Sequence, residues 1–171
     1  MCVRVQEAAV TESQRETSGD VVMGRIGQVI MLLHGGDREE ARNRFAGLWD
    51  EIGEAGDALH RCTLAHYMAD TQDDPEDELL WDLRALAAAE SLDDGRAAHD
   101  ASTVAVRGFC PSLHLSLAAD YLKLERREAA RLHLVRARTA AGALADDGYG
   151  DGVRAAIERL EWRLGEGESR R

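Results

Sequence analysis

The chain is poor in the residues that mark out special classes of protein. Two prolines in 171 residues and no Gly/Ser-rich tract exclude a collagenous chain, a long flexible linker and a low-complexity body. Cysteine is limited to Cys2, Cys62 and Cys110, an odd and widely spaced set that falls far short of a disulfide scaffold and fits reduced thiols in a cytoplasm. No run approaches the roughly 18 uncharged apolar residues of a membrane span. With a mean hydropathy of -0.37, a soluble protein is expected. Basic charge is also short: 32 acidic against 21 basic residues leave a net charge of -11, which repels phosphate backbones and anionic lipid. Neither nucleic acid nor membrane is therefore an expected partner. Lysine occurs only at Lys123, a bias toward arginine that fits a GC-rich bacterial genome. The first 20 residues lack the basic start and apolar centre of a signal peptide.

What is present reads as helix. Alanine and leucine dominate, and no stretch alternates apolar and polar residues over strand length, so no sheet is expected. Val22, Ile26, Val29, Ile30 and Leu33 recur at helical steps from Val21 to His34, and Gly35-Gly36 stops them. Asp37 with Glu40 has the spacing of a capping box for a second helix, whose buried stripe is Ala41, Phe45, Leu48, Trp49 and Ile52. Asp57 is the expected cap of a third helix, carrying Leu59, Cys62, Leu64, Ala65 and Met68. A fourth starts at Pro75 behind Asp74 and carries Leu79, Leu80, Leu83 and Leu86 to about Glu90. The form of Asp93 to Gly108 stays open, with a short helix over 96–106 as one reading. Pro111-Ser112 is expected to begin another helix to about Leu124, followed by a long one from Arg126 to Leu144. A break at 145–150 precedes a last helix from Asp151 to Leu164, with 165–171 fraying.

An internal pattern lies on these helices. From Pro111, the segment Pro111-Ser112-Leu113-His114-Leu115-Ser116-Leu117-Ala118-Ala119-Asp120-Tyr121-Leu122-Lys123-Leu124-Glu125, followed by Glu128-Ala129-Ala130, resembles a tetratricopeptide repeat (TPR), and Leu134 and Ala137 continue it. Small residues at 118, 130 and 137 let two helices approach while Leu117, Tyr121 and Leu134 fill the space between them. A first unit carries Gly36, Ala41 and Phe45 but has Val29 and Leu32 where a small residue and an aromatic are usual. A middle unit around Leu64-Ala65, Leu79 and Leu83 fits with about two extra residues near Asp73-Asp74. The chain thus resembles bacterial, actinobacterial-type TPR proteins. A generic Ala/Leu-rich bundle is the competing reading.

The resemblance implies an all-α, right-handed stack of antiparallel hairpins over 21–164, a capping last helix, a flexible segment 1–20 and a frayed tail 165–171. It also implies a concave groove lined by the first helix of each pair. Carried over residue by residue, the groove positions are Met23, Ile26, Ile30 and His34, then Leu59, Cys62, His66 and Asp70, then Ser112, Leu115, Ala119 and Lys123. These make a mostly apolar floor, whose expected occupant is a peptide or partner helix, a second copy of the chain in a homodimer, or residues 1–20. The alternative is that they form the core of a compact bundle.

Chemistry is sparse by comparison. Cys62 with His66 and Cys110 with His114 lie four apart on helices of neighbouring units, so a tetrahedral metal site or a Cys–His nucleophile is conceivable. Cysteine as a small buried apolar residue and His114 as a packing residue are the plainer readings. Asp70, Asp73, Asp74, Glu76, Asp77, Glu78 and Asp82 form an acidic run with no EF-hand glycine, read as capping plus a solvated face. The stretch from Lys123 to Arg138 is basic, so the two fields are expected to meet within the molecule or between copies. Trp49, Trp81 and Trp162 are expected packing anchors, and Tyr149 a ring tucked under the last helix. No nucleotide, zinc-protease or hydrolase motif occurs. The reading is an interaction or adaptor module without cofactor. A small-molecule- or metal-binding helical protein with a catalytic or regulatory role is the alternative.

Overall fold

The computed structural model describes residues 21–93 and 101–169, and the side chains of 21–91 and 108–165. All regular structure among them is helical: α1 over residues 21–34, α2 (Arg38–Ile52), α3 (Ala58–Ala69), α4 (Pro75–Asp93), α5 (Ala101–Lys123), α6 (Arg127–Ala141) and α7 (Gly148–Ser169). Residues 1–20, 94–100 and 170–171 lie outside the described residues. So does any role of the first 20 residues as a groove filler.

Neighbouring helices pack in order, α3 on α4, α4 on α5, α5 on α6 and α6 on α7, with further contacts of α3 to α5 and of α5 to α7. The apolar interior follows the same order. Ile26 and Val29 of α1 meet Phe45 and Leu48 of α2 and Leu64 and Met68 of α3. Cys62 and Ala65 of α3 meet Ala85, Ala88 and Ala89 of α4 and Leu113 of α5. Ala118 of α5 meets Ala130, Leu134 and Ala137 of α6 and Val153, Ile157, Leu160 and Leu164 of α7. Alanine at 41, 65, 85, 118, 130 and 137 is fully buried, which sets the close approach of the paired helices.

Two chain reversals share one geometry. After α1, Asp37 N–H donates to Leu32 O and Gly36 N–H to Leu33 O, with Gly36 at φ +94°. After α5, Arg126 N–H donates to Tyr121 O and Glu125 N–H to Leu122 O, with Glu125 at φ 58°. Both are Schellman closures that tie off the carbonyls of the last turn. The residues that follow, Asp37 (φ -89°, ψ 67°) and Arg126 (φ -84°, ψ 65°), open the next helix in the same conformation. The reversal between α3 and α4 is longer and is capped otherwise, by Asp74 Oδ1 accepting Glu76 N–H at 2.8 Å.

Several expectations are corrected. Asp37 makes no side-chain cap bond, because the closure has already fixed its backbone, and Glu40 instead accepts from Arg44 Nε at 2.7 Å. Pro111 does not start a helix. It lies inside α5 with its ring fully buried, although an interior proline removes a hydrogen bond and costs about 3 kcal/mol. The short helix considered over 96–106 is, from residue 101 on, the first part of α5. The last helix begins at Gly148 and continues to Ser169, past the expected end at Leu164. Trp49 and Trp81 do pack edge-to-face at 5.0 Å, but Trp162 is 64% exposed and is not a core anchor. Tyr149 is half exposed rather than tucked in, its hydroxyl within 3.1 Å of Ser112 Oγ and donating to Gly108 O at 3.2 Å. Asp57 caps α3 as expected, accepting Leu59 and His60 N–H at 2.9 and 3.2 Å.

Candidate functional site

Helical spacing places three sets of ionisable side chains on facing surfaces. Cys62 and His66 on α3 and Asp70, which caps its end, stand at four-residue steps; on α4, Glu78 and Asp82 are four apart; on α5, Asp120 and Lys123 are three apart. They meet where α3, α4 and α5 pack together.

The centre of the site is His66 with Asp82. Asp82 Oδ1 lies 3.1 Å from His66 Nδ1, and the two side chains are 4% and 15% exposed respectively. Burial by itself would push the imidazole pKa down. The hydrogen bond to Asp82 and the charges of Asp82 and Asp70 outweigh it, so His66 titrates above the ordinary histidine range. Asp120 faces Asp82 from α5. Burial, then the charge and hydrogen bond of Asp82 and the charge of Glu78, push the Asp120 carboxyl up to about 8, against the opposing pull of Lys123. Two buried carboxyl groups brought together favour a proton between them, because both cannot ionise cheaply.

Lys123 closes the outer side. Its ammonium donates to Glu78 Oε1 at 2.5 Å and to Asp120 Oδ1 at 3.4 Å. Burial disfavours the ammonium, but Glu78 and Asp120 more than restore it, so Lys123 is held above its usual range. Arg126 at the start of α6 pairs with Glu76, while Arg38 and Arg42 of α2 pair with Asp73. Much of the acidic run therefore meets basic side chains within the molecule, as one of the two sequence readings had it. Asp82 departs instead from the reading of the run as a solvated face: it is buried and bound to His66.

A second polar group sits between α5 and α6. The Nδ1 atoms of His114 and His133 are 3.2 Å apart, and Tyr121 lies over His133 with ring centroids at 5.4 Å. Burial, then the neighbouring His133 and Arg136, push His114 down to about 4, and burial with Arg136 also lowers His133. Both shifts favour the neutral imidazoles, in which one Nδ1 can donate to the other.

The sequence-derived groove residues divide into three groups by burial. Ile26 and Cys62 are fully buried. Met23, Ile30, Leu59, Leu115 and Ala119 are half-buried against the core, and Ser112 donates to Phe109 O at 2.8 Å. The exposed members are His34, Asp70 and Lys123, so the accessible part of the set is polar rather than apolar. His34 lies edge-on to Tyr67 at 6.3 Å, and Tyr67 is 5.4 Å from His66.

Cys62, His66, Cys110 and His114 do not come together as four ligands. His66 is engaged by Asp82 and His114 by His133, while burial, followed by Cys110 and Asp82, pushes the Cys62 thiol up to about 12, where it is neither a nucleophile nor a ready ligand. Among the described residues, no group of three or more His, Cys, Asp or Glu side chains is arranged to hold a metal ion. Asp82, Asp120 and His133 are the site residues that sequence reasoning missed. A signal for two of them existed: Asp82 falls in the stripe Leu79-Asp82-Leu86, and Asp120 in Leu113-Leu117-Asp120.

Two shallow clefts lie elsewhere. One of about 320 Å³ is bounded by Arg138, Leu144, Arg154 and Ile157, and one of about 280 Å³ by Arg25, Val29, Arg44 and Glu51. In both, the arginines are already paired: Arg138 with Glu161, Arg154 with Asp146 and Asp151, Arg25 with Glu51 and Arg44 with Glu40. No helix among the described residues is long and apolar enough to cross a membrane. No protein-family model, no curated protein and no solved structure matches this chain.

Proposed function

We propose that the chain is a TPR-like interaction module, a stack of the hairpins α1–α2, α3–α4 and α5–α6 with α7 as its cap, which binds a peptide or helix of a protein partner on the face formed by α1, α3 and α5. The observation that carries this reading is the recurrence of one reversal: Gly36-Asp37 and Glu125-Arg126 close their helices alike and are followed, at equal spacing, by the fully buried Ala41 and Ala130. Repetition of a hairpin is what a stack requires, since each unit buries its apolar face only against the next. The ordered clusters shared by three consecutive helices, and the contacts of α3 with α5 and of α5 with α7, also support it. On the first-helix face, His34, Asp70 and Lys123 are exposed, side chains suited to reading a polar partner. A cytoplasmic adaptor in a bacterium is the setting that best accommodates such a chain.

Photo-crosslinking tests this. A photoreactive amino acid is placed at His34 or Asp70 on the proposed face and at Asn43 or Leu132 on α2 and α6, and the full chain is irradiated in cells of its source. One discrete protein adduct common to the first two positions and lacking at the other two is expected. Adducts confined to Asn43 and Leu132, or none at any position, would overturn the reading, and a self-adduct would make the partner a second copy.

A further inference from the structure

The carboxyl cluster at the junction of α3, α4 and α5 is incompletely neutralised. Asp70, Glu78, Asp82 and Asp120 face His66 and Lys123, so negative charge is in excess even with both bases protonated. Asp120 is 1% exposed, and no N–H reaches its buried Oδ2, which has only the proton Asp120 itself can hold toward Asp82. A buried carboxyl that keeps its oxygen satisfied only by holding a proton gains from an N–H donor that carries charge, and so favours the entry of a cation. The resident cation is a poor fit. Lys123, the single lysine of the chain, sits 46% exposed at the outer edge, close to Glu78 but at the long limit of a hydrogen bond to Asp120. One ammonium is a point charge, whereas a planar guanidinium donates in two directions at once. A compact divalent ion does not suit the arrangement, because no three of these carboxyls and imidazoles are placed to ligate one.

We infer that this cluster is the seat for a basic side chain of a partner peptide, an arginine that displaces Lys123 and bridges Glu78 and Asp120. The inference rests on the interaction reading above and specifies its partner: a basic segment, which the net charge of -11 also attracts over longer range. Lys123 then holds the cluster in the free protein and swings into solvent when the partner's guanidinium enters. The guanidinium replaces the proton of the Asp82–Asp120 pair, so entry releases a proton to solvent. The groups facing that proton are His66 from α3 and Asp70 at its C-cap, Glu78 and Asp82 from α4, and Lys123 from α5 itself.

The test uses the full chain and two synthetic peptides, acetyl-Gly-Arg-Gly-amide and its neutral isostere with citrulline in place of arginine, with the side-chain carboxyl carbons followed by NMR. The arginine peptide is expected to shift the carboxyl resonances of Glu78 and Asp120 and to bind at least tenfold more tightly than the citrulline peptide. Binding should strengthen from pH 6 to pH 8.5. Asp120→Asn should lose tenfold or more, Glu78→Gln several-fold, and Lys123→Met should gain several-fold. Glu78→Gln, at the half-buried rim, keeps the test valid if Asp120→Asn does not fold. Equal binding of the two peptides, or Lys123→Met no tighter than the parent, overturns the inference, as does displacement of the arginine peptide by millimolar calcium chloride. The crosslinked partner separates the two levels of the argument. A partner captured at Asp70 and retained equally by Glu78→Gln and Lys123→Met leaves the interaction reading standing without the arginine seat. Selective arginine binding with no captured partner does the reverse.

Discussion

Glu125 adopts, at the reversal after α5, the left-handed conformation that Gly36 adopts at the reversal after α1. The two positions carry the same hydrogen bonds, so the geometry belongs to the hairpin and not to the residue. A side chain pays for that conformation, and glycine does not.

Glu125→Gly is therefore expected to stabilise the protein by up to about 1 kcal/mol, the left-handed strain relieved less the added entropy of the unfolded chain. Chemical denaturation would show it as a higher midpoint at unchanged slope. A lower midpoint would mean that the Glu125 side chain contributes more than its backbone strain costs.

Ala130 and Ala118 are both fully buried in the cluster shared by α5, α6 and α7. Ala130→Leu adds three carbons where there is no room and should destabilise by roughly 1 to 3 kcal/mol, measured by thermal or urea unfolding. A neutral result would place Ala130 away from a close helix contact.

Asp120 and His114 predict opposite pH slopes. Asp120 titrates near 8 in the folded chain and in the ordinary carboxylate range when unfolded, so the folded state binds the extra proton across that interval. Its contribution is full at the acid end and is lost as pH rises toward and through about 8. Asp120→Asn, which cannot ionise, should flatten the decline in melting temperature over that window. A parent protein whose stability is level up to pH 8 would show that Asp120 is already ionised.

His114 acts in the other direction. Its folded pKa is depressed to about 4 from an ordinary 6.5, so the unfolded chain takes up the proton first. Stability present above pH 6.5 is lost as pH falls toward 4, where His114 takes up its proton 3.2 Å from the His133 ring. His114→Gln should remove that acid limb of the melting profile, and the histidine resonances should report a midpoint well below 6.

Gly150 stands where a side chain cannot: a Cβ there would lie 2.2 Å from Ala145 O. Gly150→Ala should force the turn before α7 apart and lower stability by about 1 to 3 kcal/mol, with α7 losing amide protection first. Unchanged exchange in α7 would mean that this turn moves freely.

The helices were legible in the sequence because a 3.6-residue period of apolar side chains can be satisfied in only one way. Ile26-Val29, Ala41-Phe45-Leu48 and Val153-Ile157-Leu160-Leu164 are buried as that period demands, and Asp57 and Asp74 cap as their chemistry demands. Hydrogen bonding near the chain is local physics, and local sequence carries it. What tertiary structure decided is where a residue's surroundings come from other helices. Asp82 reads as one more solvated acid until α3 supplies His66 and α5 supplies Asp120. Pro111 reads as a helix start until burial holds the helix through it, and Asp37 reads as a capping side chain until the preceding closure fixes its backbone. The groove residues divided for the same reason. Spacing puts Ile26, Cys62, His34 and Lys123 on α1, α3 and α5, but only the packing of those helices determines which of them reach solvent, because burial is a property of the neighbours and not of the residue.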